Sequence, residues 1–128
     1  MKTILVVDDE PRLRELYRDA LEDEGYRVVE AESGAAAIEA LKTCPADLAI
    51  LDIRMPGIHG LELLTRLHTS HPALPVILCS GIGALFDDYA VWEARGQVVG
   101  KFTKPVSLAD LVQSIRETLE PVLPATSI

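Results

Sequence analysis

Five side chains in this sequence could do chemistry together: Asp8, Asp9, Asp52, Ser80 and Lys104. Each stands at the end of a short apolar run, and Asp52 most needs an explanation. It closes Leu48-Ala49-Ile50-Leu51, a run following Pro45 and ending against Pro56-Gly57, the pattern of a strand buried on both faces. A carboxylate beside a core is costly unless paired or bound to a cation, so it belongs at the exposed carboxyl end of its strand, with partners. Alone, Asp52 would be read as a turn opener before Pro56. Three carboxylates gathered at one edge change that reading. They repel one another and raise their own pKa values unless a divalent cation and the ammonium of Lys104 relieve them. An incomplete cage of carboxylate oxygens suits Mg²⁺ (or Mn²⁺), which keeps several waters and commonly shares a phosphate oxygen. Phosphoryl transfer needs an in-line nucleophile and cations against the equatorial oxygens, and a carboxylate can be that nucleophile. Asp52 is then the acceptor, with Mg²⁺ and Lys104 holding the phosphoryl oxygens.

The elements that must position these groups follow from periodicity. Residues 2–7 read as a β-branched buried strand ending at Asp8 and Asp9. Pro11 fits the first turn of a helix with Asp9 or Glu10 near its N-terminus, and Leu13, Leu16, Tyr17, Ala20 and Leu21 recur at helical spacing up to Gly25. Residues 26–29 form a second strand. Ser33 caps a second helix whose inner face is Ala37, Ile38 and Leu41, with Pro45 beyond its end. The Asp52 strand is third, followed by a helix over about 61–67. A fourth strand, 76–79, ends at Ser80; Gly81 and Gly83 loosen the next loop, and 84–94 is a weakly patterned helix. A fifth strand, 98–102, ends before Thr103-Lys104-Pro105, and Ser107 caps a last helix with Leu108, Leu111, Val112, Ile115 and Leu119 as its stripe. Five strands alternating with five helical segments imply parallel crossovers and a doubly wound α/β sandwich, which binds ligands at the carboxyl ends of its strands.

The 128 residues and 48% hydrophobic content suit one domain, expected over 1–120 with a loosely ordered tail at 121–128. Twenty acidic against twelve basic residues give a net charge of -8, which argues against direct nucleic-acid binding and against an anionic membrane surface. Cys44 and Cys79 stand 35 residues apart with no clustered His, so neither a disulfide framework nor a zinc site is indicated, and a reducing cytoplasm is the expected setting. No stretch resembles a signal peptide or a transmembrane span.

The combination Val6-Val7-Asp8-Asp9-Glu10, Leu51-Asp52-Ile53-Arg54-Met55-Pro56-Gly57 through Gly60, the strand-end Ser80 and Lys104-Pro105 resembles the receiver domain of two-component response regulators, over about residues 2–120. The resemblance implies a flavodoxin-like sheet of order 2-1-3-4-5. It implies that Asp52 accepts a phosphoryl group from a sensor histidine kinase or a histidine phosphotransfer protein. Asp9, Asp52 and the main-chain carbonyl of Arg54 are then direct Mg²⁺ ligands, with Asp8 assisting through water. Ser80 would hydrogen-bond the phosphoryl group and draw its loop inward, Lys104 would pair with a phosphoryl oxygen, and Pro105, following a cis bond, would aim it. The outcome is a signalling switch that alters binding of a downstream effector, not an enzyme in the ordinary sense, although it assists its own phosphorylation and dephosphorylation. Homodimerisation through the last helices is left open.

Two features depart from the family. An aromatic switch residue is usual three positions before the strand-five lysine, where this chain has Lys101, with Phe102 one step later. The 24 positions from Ser80 to Lys104 also exceed the family's usual spacing. Either Phe102 supplies the ring through a register shift, or signalling runs through backbone motion near Gly81 and Gly83. Elsewhere the bland reading is preferred: His59, His68 and His71 as solvated residues, and Cys79 as a small core residue. Phe86 and Trp92 divide evenly between core anchors and a partner surface. A haloacid-dehalogenase-type phosphatase needs a second Asp where Arg54 stands, and a flavin carrier needs a phosphate-cradling loop where Asp8-Asp9-Glu10 would repel phosphate. A pseudo-receiver acting only as an interaction module is the remaining alternative, against which the complete acidic set and Lys104 argue.

Overall fold

A computed structural model of the chain describes residues 1–52, 60–81 and 95–120. Its elements are β1 (Thr3–Val7), α1 (Pro11–Asp23), β2 (Arg27–Ala31), α2 (Gly34–Thr43), β3 (Leu48–Asp52), α3 (Gly60–Ser70), β4 (Val76–Ser80), β5 (Val98–Thr103) and α4 (Leu108–Leu119). The strands form one parallel sheet of order β2-β1-β3-β4-β5, as expected. Four helices lie among the described residues; the helix expected over 84–94, with Gly83, Phe86 and Trp92, falls outside them, as do His59 and the tail at 121–128.

Local chemistry explains the boundaries. Pro11 opens α1 with no N–H to lose, while Glu10 occupies its N-cap without a side-chain cap bond. Gly25, at φ +90°, ends the turn after α1, and Gly25 N–H donates to the Glu22 carbonyl. The Oγ atoms of Ser33 and Ser107 accept from Ala36 N–H at 3.1 Å and Asp110 N–H at 3.3 Å, so both expected caps are formed. β2 begins and ends later than the 26–29 expected, because its ladder with β1 runs from Arg27 to Ala31.

Alternation along each strand divides the core into two layers. Leu5, Val7, Ala49, Leu51 and Leu78 face Ala37, Leu41, Leu63, Leu64 and Leu67. Ile4, Val6, Leu48, Ile50, Ile77 and Cys79 face Tyr17, Leu21, Leu111 and Ile115. With helices on both sides, β3 and β4 are buried at every position, which is why they read as unbroken apolar runs. Each fully buried Leu or Ile contributes roughly 1.5–3 kcal/mol relative to exposure.

The register of β5 matters most for the site. Val76 pairs with Val98 but Ile77 pairs with Gly100, so Val99 is an inserted residue and the strand bulges there. The bulge takes up one residue of the long Ser80-to-Lys104 spacing and sets Ser80 opposite Thr103. β5 therefore runs one residue beyond the expected 98–102, and Lys104 N–H donates to the Ser80 carbonyl at 2.7 Å. Gly100 lets α4 approach: a Cβ there would stand 3.1 Å from Ser114 Oγ and 3.4 Å from Ile77 Cγ1.

Candidate functional site

β1, β3 and β5 each deliver a charged residue to the carboxyl edge of the sheet. Asp8, just past β1, is 1% exposed and Asp52, the last residue of β3, 5%. Lys104, just past β5, reaches over both: its Nζ lies 3.2 Å from Asp52 Oδ2 and 3.3 Å from Asp8 Oδ2, with the ammonium side chain 19% exposed. Two buried carboxylates thus share the Lys104 ammonium, an acidic arrangement that a bound cation would stabilise. Asp9 and Glu10 are exposed beside them, and one carboxylate oxygen from each of Asp8, Asp9 and Glu10 lies within 4.8 Å of the others. An all-oxygen, partly solvated donor set of this kind fits Mg²⁺ or Mn²⁺ better than a soft metal.

The electrostatics follow from the packing. Burial pushes the Asp8 carboxyl above the usual carboxylate range, and the Glu10 N–H bond to its Oδ1 and the charge of Lys104 only partly offset this. Burial pulls the Lys104 ammonium downward, but the charges of Asp8 and Asp52 and the hydrogen bonds to both outweigh it and hold the group above its ordinary value. Lys104 is therefore a fixed cation at neutral pH.

Of the other residues singled out from sequence, Ser80 is fully buried at the end of β4, paired with Thr103. The Lys104–Pro105 bond is cis. Arg54, whose carbonyl the resemblance implies as a ligand, lies outside the described residues. Lys101 is exposed and pairs with Leu78, whereas Phe102 pairs with Cys79 and packs into the layer holding Tyr17 and Ile115. The two residues point to opposite faces of β5. The bulge precedes both, so it leaves this parity unchanged, and Phe102 does not supply a ring at the Lys101 position.

Sequence reasoning missed three contributors. Glu10, placed by sequence in the acidic motif and near the helix N-terminus but not among the ligands, joins the carboxylate cluster. Tyr17, read as a core residue, lies buried under the site with its hydroxyl hydrogen-bonded to Cys79. Burial first, then Cys79 and the charges of Asp8 and Asp52, raises the Tyr17 phenol, and burial pushes the Cys79 thiol up to about 12. Arg14 donates from its Nη1 to the Asp8 carbonyl at 2.7 Å and from Nε to Glu30 Oε1 at 3.2 Å. The available signal was Arg14 and Arg18, one turn apart on α1, with Glu30 at a strand position beside them.

Known proteins place this geometry. The family model for the response regulator receiver domain matches residues 4–116. The chain is 39% identical over 123 residues to the transcriptional regulatory protein GlrR of Escherichia coli, covering 96% of this chain and 27% of that protein. It is 38% identical over 117 residues to the probable transcriptional regulatory protein TcrX of Mycobacterium tuberculosis, covering 91% and 49%. The chain thus spans between a quarter and a half of these curated relatives. Among solved structures, the response regulator protein TrrA of Thermotoga maritima, in complex with Mg²⁺ and BeF, aligns with a TM-score of 0.83 at 34% identity, over 93% of this chain and 100% of that one. A CheY-like receiver domain protein of Methanospirillum hungatei aligns at 0.84 and 30% identity, over 94% of each chain.

Proposed function

The chain belongs to the response regulator receiver domain family, and from that premise we propose that it is a Mg²⁺-dependent phosphoacceptor switch in which Asp52 takes a phosphoryl group from a histidine kinase or phosphotransfer protein. The observation that carries the reading is the shared ammonium: Lys104 Nζ stands 3.2 Å from Asp52 and 3.3 Å from Asp8, both buried. A carboxylate oxygen of Asp52 attacks phosphorus, the bond to the donor's imidazole nitrogen breaks, and an acyl phosphate results. Asp8, Asp9 and Asp52 would hold the cation, with the Arg54 carbonyl as the further oxygen the resemblance implies. When bound, the cation neutralises charge on the transferring group. Lys104 exchanges its bond to Asp52 for one to a phosphoryl oxygen. That exchange also loosens its hold on Asp8. The Ser80 hydroxyl turns toward the new oxygens, and because the Ser80 carbonyl accepts from Lys104 N–H, β4 and β5 move as one unit. The output is changed affinity for a downstream effector: a switch, not a turnover enzyme.

Intact mass after incubation with acetyl phosphate tests this. Wild type is expected to gain one phosphoryl adduct with Mg²⁺ and none with EDTA, and Asp52→Asn to lose labelling altogether. Full labelling of Asp52→Asn would refute the site assignment; no adduct on wild type would favour an interaction-only receiver.

A further inference from the structure

Each polar main-chain and side-chain group of Asp8 has a partner. Its N–H donates to the Ala31 carbonyl at 3.1 Å, Oδ1 accepts from Glu10 N–H at 2.9 Å, Oδ2 accepts from Lys104, and its carbonyl accepts from Arg14 at 2.7 Å. The last is the only one of these made by a side chain outside the charged site. Arg14 is itself fixed from the other side, because Glu30 Oε1 accepts from its Nε at 3.2 Å while Glu30 Oε2 accepts from Arg18 at 2.6 Å. Arg14 is only 15% exposed, against 46% for Arg18. A planar guanidinium is suited to such a two-sided brace, since its donors point in fixed directions.

The braced carbonyl belongs to the peptide joining Asp8 to Asp9. That unit is planar, so fixing the carbonyl direction fixes the N–H of Asp9 and the position of the Asp9 Cα from which its side chain departs. We propose that Arg14 is a positioning residue for cation binding: by holding the Asp8–Asp9 peptide against Glu30, it makes the carboxylates of Asp8, Asp9 and Glu10 converge. The proposal rests on the phosphoacceptor reading for the identity of the cation. It runs against simple electrostatics, because a guanidinium near a cation site repels the cation and its removal should tighten binding.

That opposition of sign makes the test decisive. Mn²⁺ binding to the full chain is measured from the electron paramagnetic resonance signal of the free ion, with Mg²⁺ as competitor, for wild type, Arg14→Ala and Arg18→Ala. Arg18→Ala removes an equal charge and the other bond to Glu30 without touching Asp8. The expected result is about a tenfold weaker Kd for Arg14→Ala, the scale of lost outer-shell support, and a change within about twofold for Arg18→Ala. Arg14→Met, which keeps an unbranched apolar stem, provides the same reading if the alanine variant folds poorly. Equal or tighter binding by the Arg14 variants, or equal weakening by both arginine variants, overturns the proposal. Wild type that binds no Mn²⁺ overturns the phosphoacceptor reading as well, a failure separable from the first.

Discussion

The two edges of the sheet each bury polar side chains, and they solve the problem in opposite ways. At the amino edge Gln97, 3% exposed, donates to the carbonyls of His71 and Leu74 at 3.2 and 3.3 Å, while its Oε1 meets His68 Nδ1 at 3.0 Å. The Gln97 amide finds each of its partners within the chain. Since Oε1 can only accept, His68 Nδ1 is the donor. At the carboxyl edge Asp8 and Asp52 share Lys104, with Asp9 and Glu10 adding further negative charge. Both edges are built from turns beyond strand ends. A satisfied amide network pins a corner of the fold, whereas carboxylates sharing an ammonium form the acidic edge on which the proposed cation and phosphoryl chemistry rests.

Breaking each edge in turn should separate the two roles. The largest effect is expected from Lys104→Met, which strands two buried carboxylates. In EDTA it should lower stability by about 2–3 kcal/mol, short of the full loss for a completely buried pair because the ammonium is partly exposed. Excess Mg²⁺ should restore part of that loss, since a ligand bound only by the folded state stabilises it. Urea melts with and without Mg²⁺ would read both. Gln97→Leu should cost about 2 kcal/mol by taking the Gln97 donor from the Leu74 carbonyl and the Gln97 acceptor from His68 Nδ1, while the His71 carbonyl keeps the Leu74 N–H, equally in EDTA and in Mg²⁺, with acetyl phosphate labelling unchanged. A Mg²⁺-dependent cost at Gln97 would erase the distinction between the edges. The smallest effect concerns the layer under the site. The Cys79 thiol, pushed up to about 12 by burial, should resist iodoacetamide in the native protein at mildly alkaline pH, while the half-buried Cys44 reacts. Mass spectrometry should find one adduct on the folded chain and two after denaturation. Native labelling of Cys79 would mean that the layer beneath Asp52 opens readily.

The contrast also shows what was legible in the sequence. Asp8, Asp52 and Lys104 could be found because each ends a short apolar run, and parallel topology gathers strand ends at one edge. Side chains reaching in from a helix carried no such flag. Tyr17 looked like any stripe residue, and its hydroxyl acquires meaning only when Cys79 is placed beside Asp52 on the neighbouring strand. Leu16 matched the apolar spacing of α1 but is 47% exposed, because the buried line runs through Leu13, Tyr17 and Leu21, and Leu16 sits about 100° around the helix from it. The bulge at Val99 was invisible for a similar reason. It is set by the distance β5 must cover between Gln97, whose carbonyl accepts from Val76 N–H at 2.7 Å, and Lys104, a constraint imposed by neighbouring strands and not by local propensity. Gln97, which carries no pattern signal just ahead of the fifth strand, is a buried pin.

The central claim is that the charged edge exists to phosphorylate one carboxylate, Asp52. The most direct measurement is to label the chain with acetyl phosphate and Mg²⁺, reduce the acyl phosphate with borohydride, and sequence the peptides by mass spectrometry. Borohydride converts a phosphorylated aspartate to homoserine and leaves free carboxylates unchanged. The account predicts homoserine at position 52 alone, and none when EDTA replaces Mg²⁺. Homoserine at position 8 or 9, or a Mg²⁺-independent signal at 52, would contradict it.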